Sequence, residues 1–153
     1  MARRIVTGDD ADGRGIVLSD EQLTLDAAAP VATIWSTATP PHVPVFEVPG
    51  DVDEWNPAPG GARVILFTVP PAGAAEGKWS EALEDDGYHT SDTVDAILVI
   101  QGEIWMGLDE GAEIKLGPGD VLVQNGTRHR WLNHGSELSL CAAFIVGAHR
   151  DAG

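Results

Sequence analysis

The sequence predicts an all-β, antiparallel fold, and three observations carry that prediction. Apolar runs of about four to eight residues, rich in Val, Ile, Leu and Trp, recur between clusters of Gly, Pro, Asn and Asp. Eighteen glycines and ten prolines in 153 residues exceed the usual share and supply the turns such a fold needs. No helical period persists beyond about ten residues.

Taken in order, the candidate strands of the first half are Arg3–Val6, Gly15–Leu18, Val31–Ser36, Val43–Val48 and Arg63–Val69. Segments 49–61 (PGDVDEWNPAPGG) and 70–78 (PPAGAAEGK) read as loops by composition. One short helical turn is expected around Ser80–Glu84. The second half is better organised, with strands at Val94–Gln101, Glu103–Leu108, Ala112–Leu116, Asp120–Gln124, His129–Asn133 and Leu138–Val146. Asp109-Glu110-Gly111 fits a three-residue hairpin loop, Gly117-Pro118-Gly119-Asp120 a tight turn, and Asn125-Gly126 a hairpin that fixes the register of the strand after it. Evenly spaced short strands argue for a sandwich or small barrel. Ile97, Val99, Leu122, Leu140 and Phe144 are the expected core.

Composition also excludes functions. A net charge of −15, from 24 acidic against 9 basic residues, repels phosphate backbones and anionic lipid, so neither nucleic acid nor a membrane surface is an expected partner. One cysteine cannot close an internal disulfide. Cys141 lies in an apolar run, where a buried, inert thiol is expected. No apolar segment follows the two arginines of MARRIVTGDD, and no apolar run approaches the roughly 20 residues needed to span a bilayer. A soluble, cytoplasmic chain is the expectation. No glycine-rich phosphate loop precedes a helix and no GxSxG elbow is present, so nucleotide binding and an α/β-hydrolase lack support.

Chemistry must then come from polar residues that interrupt the strands. Period-two alternation puts His129, Trp131 and Asn133 on one face of their strand. His89 and Asp95 share a parity, but on a straight strand they would lie about 20 Å apart. A bend through Ser91-Asp92-Thr93 would bring them together. The remaining histidines, His42, His134 and His149, read as surface or structural residues. His134 has the opposite parity to His129 and should face solvent.

The stretch from Gly87 to Asn133 resembles the two sequence motifs of the cupin superfamily, small double-stranded β-helix (jelly-roll) barrels. The first motif joins two histidines, a carboxylate and a glycine seven residues further on; here it reads His89-Thr-Ser91-Asp-Thr-Val-Asp95, ending at Gly102. The second runs from Gly119-Asp120 through an apolar strand and a turn to His129 and Asn133. The resemblance implies a single cupin domain over 1–153, with 1–61 an N-terminal arm with edge strands and 62–147 the barrel core. It also implies a homodimer, since cupins commonly pair exposed edge strands. In metal-binding cupins the first motif supplies two histidines and a glutamate, and the second one histidine. His89, Asp95 and His129 match three of these positions, while Ser91 stands where the second histidine would be.

Two histidines and one carboxylate still make a facial set for Fe(II) and related divalent ions. The resemblance therefore implies a metal-dependent small-molecule enzyme, an oxygenase, lyase or isomerase, with Fe, Mn, Ni or Zn on His89, Asp95 and His129. The missing ligand at Ser91 keeps open a metal-free alternative. There His129 or His89 is the base and Asp95 orients it or donates a proton, for a dehydration, isomerisation or cyclisation. A third reading is a barrel that holds a ligand without turnover. Five tryptophans suggest a pocket for an apolar or ring-bearing small molecule, with Trp131, Trp105, Trp79 and Ser91 as candidate substrate contacts.

Overall fold

β-Branched and aromatic segments punctuated by Gly and Pro give ten strands among the described residues, 2–48, 50, 55–73 and 86–151 of this computed structural model. The strands are β1 (Ala2–Asp9), β2 (Gly15–Leu23), β3 (Val31–Thr37), β4 (Ala62–Val69), β5 (Thr93–Gln101), β6 (Ile104–Gly107), β7 (Glu113–Leu116), β8 (Val121–Gln124), β9 (Arg130–Leu132) and β10 (Ser139–Gly147). A 3₁₀ turn at Asp109–Gly111 joins β6 to β7. Trp79 and the expected turn at Ser80–Glu84 lie outside the described residues.

All pairings are antiparallel. A five-stranded sheet in the order β3-β4-β10-β5-β8 and a three-stranded sheet β7-β6-β9 form the jelly roll, while β1 and β2 pair only with each other. Side chains of Ile65, Phe67, Ile97, Val99, Cys141 and Ile145 from the large sheet meet Ile104 and Leu116 from the small one in a single apolar core. Among the described residues no helix is long and apolar enough to cross a membrane.

Two glycines are required by close backbone approach. Gly102 has φ +75°, and a Cβ there would lie 2.9 Å from the Cα of Ser139. Gly126 has φ +63°, and a Cβ would lie 2.6 Å from the carbonyl oxygen of Ser91. No L side chain fits either place without moving the backbone.

Three expectations are corrected. Residues 43–48 form no strand. Pro44 has no N–H to give a ladder, and this segment meets β1 through Val45, whose carbonyl accepts from Asp9 N–H at 2.7 Å. The Asn125-Gly126 turn closes no hairpin, because β8 pairs with β5 and β9 with β6; the turn instead carries the chain from one sheet to the other. Of the expected core, Ile97 and Val99 are buried and Leu122 and Leu140 half-buried, but Phe144 is 49% exposed. On β10 the inward residues are Cys141, Ala143 and Ile145, so Phe144 points out. A continuous apolar run contains no alternation from which parity can be read.

Candidate functional site

The bend expected between His89 and Asp95 is present: β5 begins only at Thr93, and a bend at Asp92 lies between the two residues. His89 leaves the sheet and forms an isolated antiparallel bridge to His129, just before β9. Each residue's N–H donates to the other's carbonyl, at 2.9 and 3.0 Å. This doubly bonded pair fixes the two backbones independently of the side chains, and it holds the imidazole rings 4.3 Å apart, centroid to centroid.

His129 is 3% exposed. Its Nδ1 lies 2.8 Å from the Thr127 carbonyl oxygen and 2.9 Å from Nε2 of Gln124. These partners make opposite demands, since a carbonyl needs a proton on Nδ1 and an amide N–H needs a lone pair there. The Gln124 amide, with two N–H groups, also donates to Thr127 O at 3.1 Å, and its carbonyl accepts from Gly126 N–H at 2.6 Å, while the shorter of the two Nδ1 contacts is the one to Thr127 O. We assign the proton to Nδ1, donated to Thr127 O, which leaves the lone pair on Nε2. Burial lowers the His129 pKa to about 4, with the Thr127 bond opposing this and the neighbouring His89 adding to it. At neutral pH the ring is uncharged.

Asp95 projects inward from β5, directly opposite Gln124 on β8. Its Oδ1 is buried and has no hydrogen-bond partner among the described residues. Burial pushes its carboxyl above the usual carboxylate range, against a hydrogen bond from Thr93 that lowers it. Desolvation disfavours the charged form of each group, so it moves the acid up and the base down.

His89, Ser91, Asp95 and His129 all line one cavity of about 190 Å³. Its aromatic walls are Trp55, Phe67 and Trp131, and its aliphatic floor includes Ile65, Ile97 and Ala143. Trp131 stands edge-on to His129, with centroids 5.6 Å apart, and packs against Phe67 at 6.1 Å. The Ser91 and Thr93 hydroxyl oxygens are hydrogen-bonded to each other at 2.7 Å. Ala143 leaves room that a larger side chain would fill.

Trp105 does not join them. It faces away from the buried Ile104 and Met106 on either side of it, and packs edge-on against His134 at 4.9 Å with Lys115 over its ring. The reason is parity, because the core residues take the two neighbouring positions of β6. His134 is exposed and reaches Glu113 at 2.9 Å. Asn133 shares the inward face with His129 but is structural: its amide donates to Val69 O and Glu137 O, each at 2.8 Å, and its Oδ1 accepts from Gly135 N–H. The buried Cys141 thiol is pushed up to about 12, which makes it inert.

Sequence reasoning missed Trp55, Phe67 and Gln124. Trp55 was hidden in a segment read as loop, where a large aromatic among Pro, Gly and Asn was the available signal. Phe67 could have been found from the parity it shares with Ile65 and Val69. Gln124 carries no sequence signal, since its contact with His129 depends on the path of the turn between them.

The implied metal can be tested on this donor set. Among the described residues no three His, Cys, Asp or Glu side chains are grouped closely enough to hold an ion. The histidines form a pair, and a pair does not fit the three-ligand centre that the motifs imply.

No family model matches the chain. Over 140 residues, 85% of this chain and 63% of the other, it is 29% identical to the cupin-domain-containing oxidoreductase fogC of Aspergillus ruber. Over 75 residues, 49% of this chain and 34% of theirs, it is 37% identical to phomopsin biosynthesis cluster proteins C' and D of Diaporthe leptostromiformis. The chain thus spans less than two thirds of the length of each of these relatives. Among solved structures it is similar to the cupin-2 domain of an XRE-family transcriptional regulator from Enterobacter cloacae, at 21% identity over 57% of this chain and 83% of that one, with a TM-score of 0.43. It is also similar to a double-stranded β-helix protein from Klebsiella pneumoniae, at 18% identity over 59% and 70%, with a TM-score of 0.44. Both motifs in order and a two-sheet antiparallel jelly roll that brings them to one cavity give this chain a cupin-type fold, and over most of its length it is similar to a cupin-domain relative.

Proposed function

We propose that the chain is an enzyme that moves protons on a small, apolar, ring-bearing molecule held in the cavity. One observation carries the reading: a neutral imidazole with a lone pair on Nε2 and a protonation-prone carboxyl with one unpartnered oxygen line the same apolar cavity. His129 Nε2 removes a proton from a carbon next to an unsaturated or carbonyl group. The electron pair of that C–H bond becomes a new double bond. In an isomerisation the far carbon of the old double bond takes a proton from Asp95; in a dehydration a leaving hydroxyl takes it and departs as water. The proton on His129 then returns to Asp95 or to solvent.

The neighbouring His89 ring, with its Nδ1 3.3 Å from Gly87 O, binds a substrate oxygen beside the reacting carbon. Trp131, Phe67 and Trp55 bind the ring and exclude water, which strengthens both proton transfers. A cavity of about 190 Å³ suits one small ring system, being slightly larger than a 150 Å³ cavity that takes up benzene. The names of the relatives, an oxidoreductase and two biosynthesis-cluster proteins, support a small-molecule substrate and say nothing of this step. Because the donor set does not fit a three-ligand centre, no step here runs through a metal.

The test is deuterium uptake from D₂O into a panel of cyclic unsaturated ketones and hydroxyketones, with elemental analysis of the same preparation. We expect exchange catalysed by the metal-free protein and abolished in His129→Gln. Near-stoichiometric Fe, Mn, Ni or Zn that is lost together with activity in His129→Ala would overturn the acid–base reading and restore a metal centre. An absence of exchange on every member of the panel would overturn it as well.

A further inference from the structure

We propose that Arg150 is a positioning residue for the proton-transfer pair, an inference that rests on the acid–base reading of the cavity. The site straddles an interruption in strand pairing. The ladder between β5 and β8 ends at Asp95 and Gln124, and antiparallel pairing resumes at the His89–His129 bridge. Asp95 thus stands at one end of the gap and the two histidines at the other. Within the gap Ser91 and Gly126 approach so closely that a Cβ on Gly126 would lie 2.6 Å from Ser91 O. One nitrogen of Arg150 spans them: Nη2, with two N–H groups, donates to Ser91 O at 2.7 Å and to Gly126 O at 3.1 Å. Nε of the same guanidinium donates to the Asp92 carboxylate, which orients the fork. The backbone before Arg150 is itself anchored, since Ala148 N–H donates to Asp92 O at 2.9 Å and Gly147 N–H to Gly61 O at 3.0 Å. Arg150 supplies, from outside the barrel, a rung across the interrupted ladder.

Each end of this rung leads inward to one reacting group. On the β5 side the Ser91 hydroxyl is hydrogen-bonded to that of Thr93, and Thr93 to Asp95. On the β8 side Gly126 N–H donates to the Gln124 carbonyl, and the Gln124 amide lies 2.9 Å from His129 Nδ1. Thr127, next in the chain after Gly126, presents the carbonyl that holds the Nδ1 proton. The Arg150–Asp92 pair is 50% and 61% exposed, and an ion pair so open to water adds little to stability. What the guanidinium fixes is the separation of two segments whose ends carry the acid and the base. A misplacement of about 1 Å between reacting groups costs on the order of 10²-fold in rate. Phe67, Trp131 and Ala143, which wall the cavity, lie on β4, β9 and β10, outside the gap.

Nitrogen-15 spectra of the histidine rings at pH 7, with deuterium exchange and thermal melts on the full chain, test the proposal. The His129 ring is identified by its absence from His129→Gln. Arg150→Ala should move His129 from the Nδ1–H tautomer toward a mixture of both. It should also lower kcat for exchange by about 10- to 100-fold, with KM and melting temperature near wild type. Arg150→Lys should restore most of the rate, because its ammonium has donors enough to bridge the same two carbonyls. Asp92→Ala removes the carboxylate that orients the fork and should move the same signals in the same direction. It takes the place of Arg150→Ala should that variant fail to fold. A folded variant with the ring signals and kcat of wild type overturns the proposal, as does a lowered kcat with no change at the His129 ring. If wild type exchanges no member of the ketone panel, the acid–base reading fails by itself. The ring signals then decide alone whether Arg150 positions His129: a shift in Arg150→Ala sustains the proposal, and unchanged signals overturn it.

Discussion

Strands β5 and β10 each join two unlike regions. On β5 the inward residues run Asp95, Ile97, Val99; on β10 they run Ile145, Ala143, Cys141. At the Val99 and Cys141 end the barrel is closed by Ile104 and Leu116, and none of these four is more than 7% exposed. At the Asp95 end, four residues away on the same strand, the space stays open and holds a neutral imidazole and an unpartnered carboxyl oxygen. The closed end gains burial and dispersion from every inward atom. The open end holds two groups whose charged forms burial disfavours, which costs stability and supplies reactivity. One strand pair thus carries both the stability of the barrel and its chemistry, and each should respond to its own substitutions.

The largest expected effect is on chemistry at the open end. His129→Gln keeps the backbone bridge to His89, which needs no side chain, but removes the base. A rate loss on the order of 10² to 10⁴ is expected, with a melting temperature close to wild type. If activity and melting temperature fall together, the two ends are not separable.

Ile104→Ala is the converse. Ile104 is 0% exposed at the centre of the closed end, so its truncation should cost about 2–5 kcal/mol by denaturant titration. The folded fraction should retain the wild-type pH–rate profile. A shift of that profile would mean that core packing reaches the proton chemistry, and would break the comparison.

A smaller effect appears in stability against pH. Burial lowers His129 to about 4 in the folded chain from the ordinary histidine value of 6.5, so in that window the unfolded chain holds a proton that the native chain lacks. Stability should therefore fall as pH drops from 6.5 to 4, by at most about 1.4 kcal/mol per unit. In His129→Gln this part of the slope should be absent. Equal slopes in the two proteins would show that the ring is not held neutral.

The difference between the ends also explains what the sequence could reveal. The all-β fold was legible because turn residues and short apolar runs are local signals. That His89, Asp95 and His129 line one cavity was legible from the motif spacing, and the bend between His89 and Asp95 from the turn-compatible residues between them. Parity worked where polar and apolar residues alternate, as in His129-Arg-Trp-Leu-Asn133, and failed in Leu138–Val146, where Phe144 was placed inside. Trp105 failed for a related reason: Ile104 and Met106 occupy the inward positions of a four-residue strand, and nothing local says which set turns in. The turn after Gln124 has a hairpin's sequence but changes sheets, a choice made by strands distant in the chain.

The smallest effect gives the sharpest test of the open end, because its sign is unusual for a site residue. The folded chain holds the Asp95 carboxyl above its ordinary range through burial. Below the ordinary aspartate value of 3.8 both folded and unfolded chains keep this proton, and Asp95 costs nothing. As pH rises through 3.8 toward the folded value, the unfolded chain ionises first, and stability is lost over that window. Above it the penalty is constant. Asp95→Asn removes the titration in a side chain of nearly the same shape, so the variant should match wild type near pH 3 and exceed it at pH 8. The expected sign is a higher melting temperature for the variant at pH 8, with no difference near pH 3. Activity should be lost in the same variant, since the amide cannot deliver the carboxyl proton. Thermal melts of both proteins at pH 3, 5 and 8 decide the matter. A variant less stable than wild type at pH 8 would mean that the Asp95 carboxylate has a cationic partner in the folded chain, and the open end would then be held together by that pair and not by burial alone.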